Sequence, residues 1–185
     1  MSRLKEYKML IVLTVVTFVS ALLVSFVYTL TREDIQKAYR EEFLAALKKV
    51  LPAYDNEPDR DFVEINGNTV YLAKKDNKII AYAMRSISKK GYGGDIVVLV
   101  GVDTSGKITG IEILRHSETP GLGNKITKKE FKDSFKGLSI KDKIAVKKDG
   151  GIIDSFAGAT ISPRAVCEAV DYAVNFLTKE VIKDE

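Results

Sequence analysis

Residues 154–163 (DSFAGATISP), near the C-terminus, combine residue types that suit the binding of an anion. Small residues at 157–159 leave the backbone uncrowded just before the hydroxyl of Thr160. We expect Ser162 to be the N-cap of a following helix, with Pro163 at its first position, where the fixed φ of proline is favourable. A helix start presents unpaired N–H groups and a positive dipole end, which attract a phosphate. The stretch therefore indicates a phosphate-proximal threonine or, more simply, a capped helix after a tight turn.

Two glycine-rich segments lie next to strand-like runs. Residues 91–94 (Gly-Tyr-Gly-Gly) precede the apolar run 96–102, and residues 118–123 (Glu-Thr-Pro-Gly-Leu-Gly) follow another strand-like run. Glycines allow the backbone to approach a flat ligand closely and bring N–H groups to its polar edges. Each segment predicts either a ligand contact or a tight turn that requires a positive φ.

The composition argues against several classes of site. Cys167 is the only cysteine and His116 the only histidine, so the sequence offers no Cys/His metal cluster, no CxxC redox pair and no internal disulfide. A Ser/His/Asp triad would need His116, and no Gly-x-Ser-x-Gly motif accompanies it. We interpret His116 as a surface residue and Cys167 as an inert small thiol. Any redox chemistry would then have to come from a bound cofactor.

The charge pattern gives no sign of a nucleic-acid partner. The formal net charge is +4, and many of the lysines occur in scattered pairs such as Lys74-Lys75 and Lys147-Lys148. Such pairs, without interleaved aromatic residues on one helix face, are typical of solvated turns and helix ends.

An apolar stretch near the N-terminus predicts a membrane anchor. Residues 9–30 are uncharged, and as a helix they would span roughly 33 Å, enough for a bilayer core of about 30 Å. Arg3, Lys5 and Lys8 precede the stretch, and Glu33 and Asp34 follow it. The positive-inside rule then predicts a cytoplasmic N-terminus and an extracytoplasmic C-terminal domain.

The remaining periodicities predict an α+β fold, in which the N-terminal transmembrane helix is followed by a two-layer domain with an antiparallel sheet and helices packed on one face. An amphipathic helix is expected over 31–51, ended by Pro52. The other expected elements are strands at 62–65, 69–73, 78–87, 96–102, 107–114 and 144–146, and helices at 127–135 and 163–178. The corresponding organisation is a cytoplasmic segment 1–8, an anchor 9–30, a stalk or packing helix and loop 31–58, and a domain 59–185.

Together, the three loop segments resemble, in the same order, the FMN-binding domain family whose flavin is covalently attached. Residues 154–160 resemble the signature Asp-x-x-(Ser/Thr)-Gly-Ala-Thr, with Ala157 standing where Ser or Thr is usual. The resemblance covers about residues 60–180. It is strongest to the G subunit of Rnf-type ion-translocating electron-transport complexes, and extends to the related C subunit of the sodium-translocating NADH:quinone oxidoreductase. The short chain favours the G subunit.

The resemblance implies a role for each matching residue. In that family the last threonine of the signature bears FMN through a phosphoester made by a flavin transferase, which implies that Thr160 carries FMN and that the transferase reads Asp154. The other residues implied to contact the cofactor are Tyr92, Gly93, Glu118, Thr119, Gly121, Leu122, Gly158, Ala159 and Ser162. It implies neither a catalytic side chain nor a metal ligand.

The implied function is membrane-anchored electron transfer between the redox centres of an ion-translocating ferredoxin:NAD oxidoreductase (Rnf-type) complex. The implied partners are the other membrane subunits, the flavin transferase and the lipid bilayer of the inner (plasma) membrane. Alternatives are a C-type subunit of the sodium-translocating enzyme, and a non-redox anchored module that uses the same fold for interaction or regulation. A stand-alone flavoenzyme lacks a matching acid/base constellation.

Overall fold

The structure, a computed structural model, describes residues 2–182, with side chains from Tyr7 onward. Residue 1 of the predicted segment 1–8 and residues 183–185 of the predicted domain 59–185 lie outside the described residues. The chain forms two compact units, Met1–Glu42 and Phe43–Glu185.

The first unit consists of the greater part of a single helix, α1, which runs from Ser2 to Val50. Every side chain from residue 7 to residue 42 is exposed, including large apolar ones such as Leu13, Phe18 and Phe26. The helix is long and apolar enough to cross a membrane, by length and composition. The predicted anchor and amphipathic helix are thus one continuous helix, with Ile35 and Tyr39 of the amphipathic stripe exposed.

The second unit contains a five-stranded antiparallel sheet in sequential order. The strands are β1 Phe62–Ile65, β2 Asn68–Lys75, β3 Lys78–Ser88, β4 Ile96–Asp103 and β5 Ile108–Arg115. The two tightest turns, Asn66-Gly67 and Asp76-Asn77, place all four residues at positive φ, which is the conformation that a two-residue hairpin turn requires. The predicted strand order and antiparallel sheet are confirmed.

The larger core lies between one face of the sheet and helix α3, Ile161–Phe176. Alternate residues of the strands, such as Tyr82 and Met84 on β3, face Val166 and Val170 of the helix. Helix α3 continues directly as a π-helical segment, Leu177–Val181. Because side chains alternate between the faces of a strand, this packing fixes the register of the sheet.

The last two turns of α1 cover the opposite face of the sheet. Leu47 and Val50 are fully buried there, on a surface kept flat by small residues. Gly101 and Gly110 are paired across β4 and β5, and a Cβ on Gly110 would lie 3.1 Å from the backbone of Lys49 and Val50. The α+β class is confirmed. The sequence predicts helices on one face of the sheet, whereas in the structure α3 packs on one face and the end of α1 packs on the other.

Three local expectations are wrong. The predicted helix 127–135 is a 3₁₀ turn, Gly123–Thr127, and a short helix α2, Lys129–Asp133, separated by Lys128 in an extended conformation. The predicted strand 144–146 forms only a single bridge, between Val146 and Ile153. Helix α3 begins two residues before the predicted start. In the first two cases a buried side chain, Phe135 or Val146, is held by packing rather than by a regular hydrogen-bond ladder.

Candidate functional site

Three segments meet around one cavity of about 560 Å³. They are the loop between β3 and β4, the loop after β5, and the turn that leads into α3. This volume lies within the range of roughly 300–1,000 Å³ that is usual for small-molecule sites. The lining residues are Tyr92, Glu118, Thr119, Leu122, Gly123, Lys148, Gly158, Ala159, Thr160, Ile161 and Ser162. The fold therefore brings together all three of the segments that the sequence singled out.

Glu118 joins the three segments by hydrogen bonds. Its side chain is only 5% exposed. The backbone N–H of Gly93 donates to Oε1 at 3.0 Å, and the hydroxyl of Ser162 donates to Oε2. A buried carboxylate is costly unless such donors satisfy it. Glu118 thus connects the two loops and the start of α3 into one wall.

The glycines around Glu118 leave no space for a side chain. A Cβ on Gly123 would lie 2.6 Å from both Oε2 of Glu118 and Oγ of Ser162. A Cβ on Gly91 would lie 2.8 Å from Oε1 of Glu118. Glycine is needed at these two positions because the backbone approaches the carboxylate closely. We refer to Gly93, Glu118, Gly123 and Ser162 as the Glu118 cluster.

The hydroxyl of Thr160 faces a different environment. Thr160 is half-buried and lines the cavity, and its Oγ1 lies 3.5 Å from Nζ of Lys148. The preceding Gly158 has a φ of +77°, and a Cβ there would meet only the end of the Leu122 side chain, at 3.9 Å. The backbone in front of the hydroxyl is therefore open, as the small residues 157–159 predicted. We refer to the hydroxyl and the ammonium group together as the Thr160–Lys148 pair.

A two-glycine turn brings Lys148 to Thr160. The chain runs through a 3₁₀ turn at Lys147–Asp149, passes Gly150 at φ +75°, and returns so that the Ile153 N–H donates to the carbonyl of Ala145 at 3.0 Å. The Lys147 N–H donates to the Ile153 carbonyl at 2.8 Å. A Cβ on Gly151 would overlap the Ala145 carbonyl. This loop, closed by a parallel bridge between Val146 and Ile153, places Lys148 beside a residue twelve positions later in the chain.

The charged side chains next to the Thr160–Lys148 pair form ion pairs. Lys147 pairs with Asp154 at 2.8 Å, and Arg164 donates to both carboxylate oxygens of Asp149 at 2.6 Å. The hydrogen bond from Arg164 lowers the pKa of Asp149 below its usual value. On the buried side of α3, burial raises the pKa of the Cys167 thiol to about 12, as expected of an inert thiol.

Most of the predicted site residues line the cavity, and three do not. Gly93 contributes its N–H to Glu118, Gly121 is exposed at φ +76° with its N–H bonded to Asn124, and Asp154 is exposed beside Lys147. The prediction that Ser162 caps α3 is wrong. Thr160 occupies the N-cap position without a side-chain bond, and the Ser162 hydroxyl is taken by Glu118.

Sequence reasoning missed three lining residues: Gly123, Lys148 and Ile161. Gly123 belongs to the singled-out segment 118–123, and Ile161 follows the signature directly, so neighbourhood alone could have indicated both. The only signal for Lys148 was the Gly150-Gly151 turn that follows it.

Comparison with known proteins agrees with this geometry. Residues 91–175, which contain all three loop segments, match the FMN-binding domain family. The chain is 42% identical over 164 residues to the G subunit of the ion-translocating oxidoreductase complex of Stutzerimonas stutzeri, covering 82% of this chain and 72% of that protein. The corresponding G subunit of Aliivibrio fischeri (strain MJ11) is 37% identical over 90% of this chain and 87% of its own length. The chain belongs to this G-subunit family.

Solved structures support the same fold. The C subunit of the Na⁺-translocating NADH-quinone reductase from Parabacteroides distasonis is 26% identical, with a TM-score of 0.50, over 60% of this chain and 61% of that one. NqrC of Shewanella oneidensis has a TM-score of 0.53 over 76% of this chain and 74% of its own, at 24% identity, which bears on the fold alone. Members of the G-subunit and C-subunit families thus share this architecture.

The residues present fit a flavin mononucleotide. The cavity has apolar walls from Tyr92, Leu122 and Ile161 for a flat ring, and glycine backbone without side chains beside them. It also has a hydroxyl, an ammonium group and a helix start, which suit a phosphate. The match to the family and the chemistry of the donor groups agree, so this is an FMN-binding domain.

Proposed function

We propose that this chain is the membrane-anchored, FMN-carrying G subunit of an Rnf-type ion-translocating oxidoreductase complex, with FMN held by a phosphoester to Thr160. Bound FMN would accept electrons from one redox centre and release them to another. The observation that carries the proposal is the Thr160 hydroxyl, half-buried at the wall of a cavity of suitable size within the segment that matches FMN-binding domains. The named relatives support the assignment to a complex with other membrane subunits.

The surroundings of Thr160 support an attachment role. A flavin transferase must reach the hydroxyl with a bulky flavin donor, and Ala157 and Gly158 leave that approach exposed. Asp154 is also exposed, as a residue read by a second protein must be. Ala157, where the family signature usually has Ser or Thr, is exposed, and the attachment residue Thr160 itself matches the signature. We therefore expect the substitution to leave attachment intact.

The apolar helix supports an anchor in the inner (plasma) membrane. The cationic residues before residue 9 and the acidic residues after residue 30 favour a cytoplasmic N-terminus and a periplasmic domain. A covalent link suits that location because a cofactor that dissociated outside the cytoplasm would be lost. Fusion of alkaline phosphatase after residue 182 tests the orientation: an active fusion supports it, and an inactive one contradicts it.

Coexpression with a flavin transferase tests the attachment. The protein should gain covalent flavin, visible as a fluorescent band in a denaturing gel. Thr160→Ala should abolish the band, whereas the matched control Ser155→Ala, which removes a hydroxyl five residues earlier, should keep it. A fluorescent band that persists in Thr160→Ala would contradict attachment at this residue, and a colourless wild-type protein would favour the non-redox module.

A C-type subunit of the sodium-translocating NADH-quinone reductase is the second candidate, supported by the likeness to the Parabacteroides distasonis structure. The lower identity and the smaller covered share favour the G-type assignment. Purification from native membranes separates the two, because the co-purifying proteins differ between the complexes.

A further inference from the structure

We propose that Lys148 supplies the positive charge that matches the flavin phosphate, and that it makes the cavity select a phosphorylated flavin over an unphosphorylated one. The inference rests on the proposed flavin site and adds to it a residue and a selectivity that the signature does not contain.

The position of the ammonium group is the first argument. Nζ of Lys148 lies 3.5 Å from Oγ1 of Thr160, and both residues line the same cavity. A phosphoryl group joined to Oγ1, or docked beside it, would bring its charged oxygens within reach of this flexible side chain. A charge-assisted hydrogen bond between an ammonium group and a phosphate is stronger than a neutral one.

The second argument is that the neighbouring cations already have carboxylate partners. Lys147 is paired with Asp154, and Arg164 with Asp149. Among residues 7–182, whose side chains the structure describes, Lys148 has no carboxylate within 4.0 Å. Lys148 therefore retains one positive charge for a ligand, and a phosphodiester carries one negative charge.

The start of α3 offers few backbone N–H groups to a phosphate. Pro163 has no N–H, and the Arg164 N–H already donates to the Thr160 carbonyl at 3.3 Å. The first turn of α3 can thus offer a phosphate at most the N–H groups of Ile161 and Ser162. With so few backbone donors, a side-chain cation has a larger share in holding the anion.

Non-covalent binding of FMN and riboflavin to full-length protein in detergent tests the inference. The Thr160→Ala background prevents attachment, and flavin fluorescence gives the two dissociation constants. FMN should bind more tightly than riboflavin. Lys148→Gln should lower the FMN-to-riboflavin affinity ratio about threefold to fivefold, the size expected for one exposed charge pair, and leave riboflavin binding unchanged. Lys148→Arg should retain most of the ratio.

The matched control is Lys147→Gln, which removes the same charge one residue earlier. It should leave the ratio unchanged. Equal losses in the two glutamine variants would overturn the inference in favour of a general charge effect, as would equal binding of FMN and riboflavin before Lys148 is changed. Absence of binding by both flavins would overturn the inference. The proposed flavin site is tested separately by covalent attachment of FMN to the wild-type protein, so the two failures can be distinguished.

Discussion

The Glu118 cluster and the Thr160–Lys148 pair lie at the same cavity, but their polar groups differ in burial and in hydrogen bonding. Glu118 and Ser162 are buried and bonded to each other, and glycines enclose them so tightly that no Cβ fits. Thr160 is half-buried, Lys148 is exposed, and only a 3.5 Å contact joins them.

This difference indicates that the Glu118 cluster stabilises the fold, whereas the Thr160–Lys148 pair is available to bind a ligand. A buried carboxylate must be satisfied by the protein itself, so Glu118 determines how the three segments meet. A loosely partnered hydroxyl and ammonium group cost little in water and remain available to a ligand. We therefore expect substitutions in the Glu118 cluster to change the free energy of unfolding, and substitutions in the Thr160–Lys148 pair to change flavin attachment and selectivity.

Glu118→Ala should show the largest stability effect. It leaves the buried Ser162 hydroxyl without its acceptor and also removes the acceptor of the N–H of Gly93, which is exposed. The free energy of unfolding should fall by about 2–3 kcal/mol. Urea unfolding in detergent, followed by circular dichroism, measures it. Thr160→Ala is the control from the other region and should change the same free energy by less than about 0.5 kcal/mol. Equal losses in both variants would remove the distinction.

Gly123→Ala should come next, because its Cβ would lie 2.6 Å from two oxygens of the Glu118 cluster. Forcing them apart should cost about 1–3 kcal/mol of unfolding free energy. Gly121→Ala is the matched control, since Gly121 has a φ of +76° but open space around it, and only the backbone strain of about 1 kcal/mol applies. A larger loss at Gly121 than at Gly123 would mean that the enclosure of Glu118 does not matter.

The sequence predicted the features of the fold and of the site that depend on residues close together in the chain. The alternating strands, the Asn66-Gly67 turn and the small residues before Thr160 can all be read within short windows, because local geometry decides them. The inward turn of Ser162 could not be predicted, since its partner Glu118 lies 44 residues earlier in the chain.

Two other features could not be predicted from the sequence: the packing of α1 on the second face of the sheet, and the position of Lys148. The end of α1 packs on the sheet because Gly101 and Gly110 meet across two strands, a pairing that only the register reveals. Lys148 looked like a solvated lysine of a Lys-Lys pair. It reaches Thr160 because the chain loops round between Val146 and Ile153, which form a parallel bridge. In both cases, tertiary contacts override what composition indicates.

The smallest expected effect is a pH dependence next to the Thr160–Lys148 pair. Arg164 keeps the pKa of Asp149 below its ordinary value. The ion pair therefore stabilises the folded protein above the ordinary carboxyl pKa of about 4, and this contribution is lost as the pH falls through the lowered folded-state pKa. The melting temperature of Asp149→Asn should lie slightly below that of wild type at pH 7, and the difference should shrink as the pH falls below about 4. A difference that grows on acidification would contradict this sign.

The identity of the flavin-bearing hydroxyl is tested most directly by mass spectrometry of the protein extracted from native membranes. Trypsin cleavage after Lys148 and Arg164 releases the peptide Asp149–Arg164, which contains Ser155, Thr160 and Ser162. We predict that this peptide carries the mass of FMN less one water, and that fragmentation assigns it to Thr160. Attachment at either serine, or an unmodified peptide from flavin-containing membranes, would contradict Thr160 as the site that holds FMN.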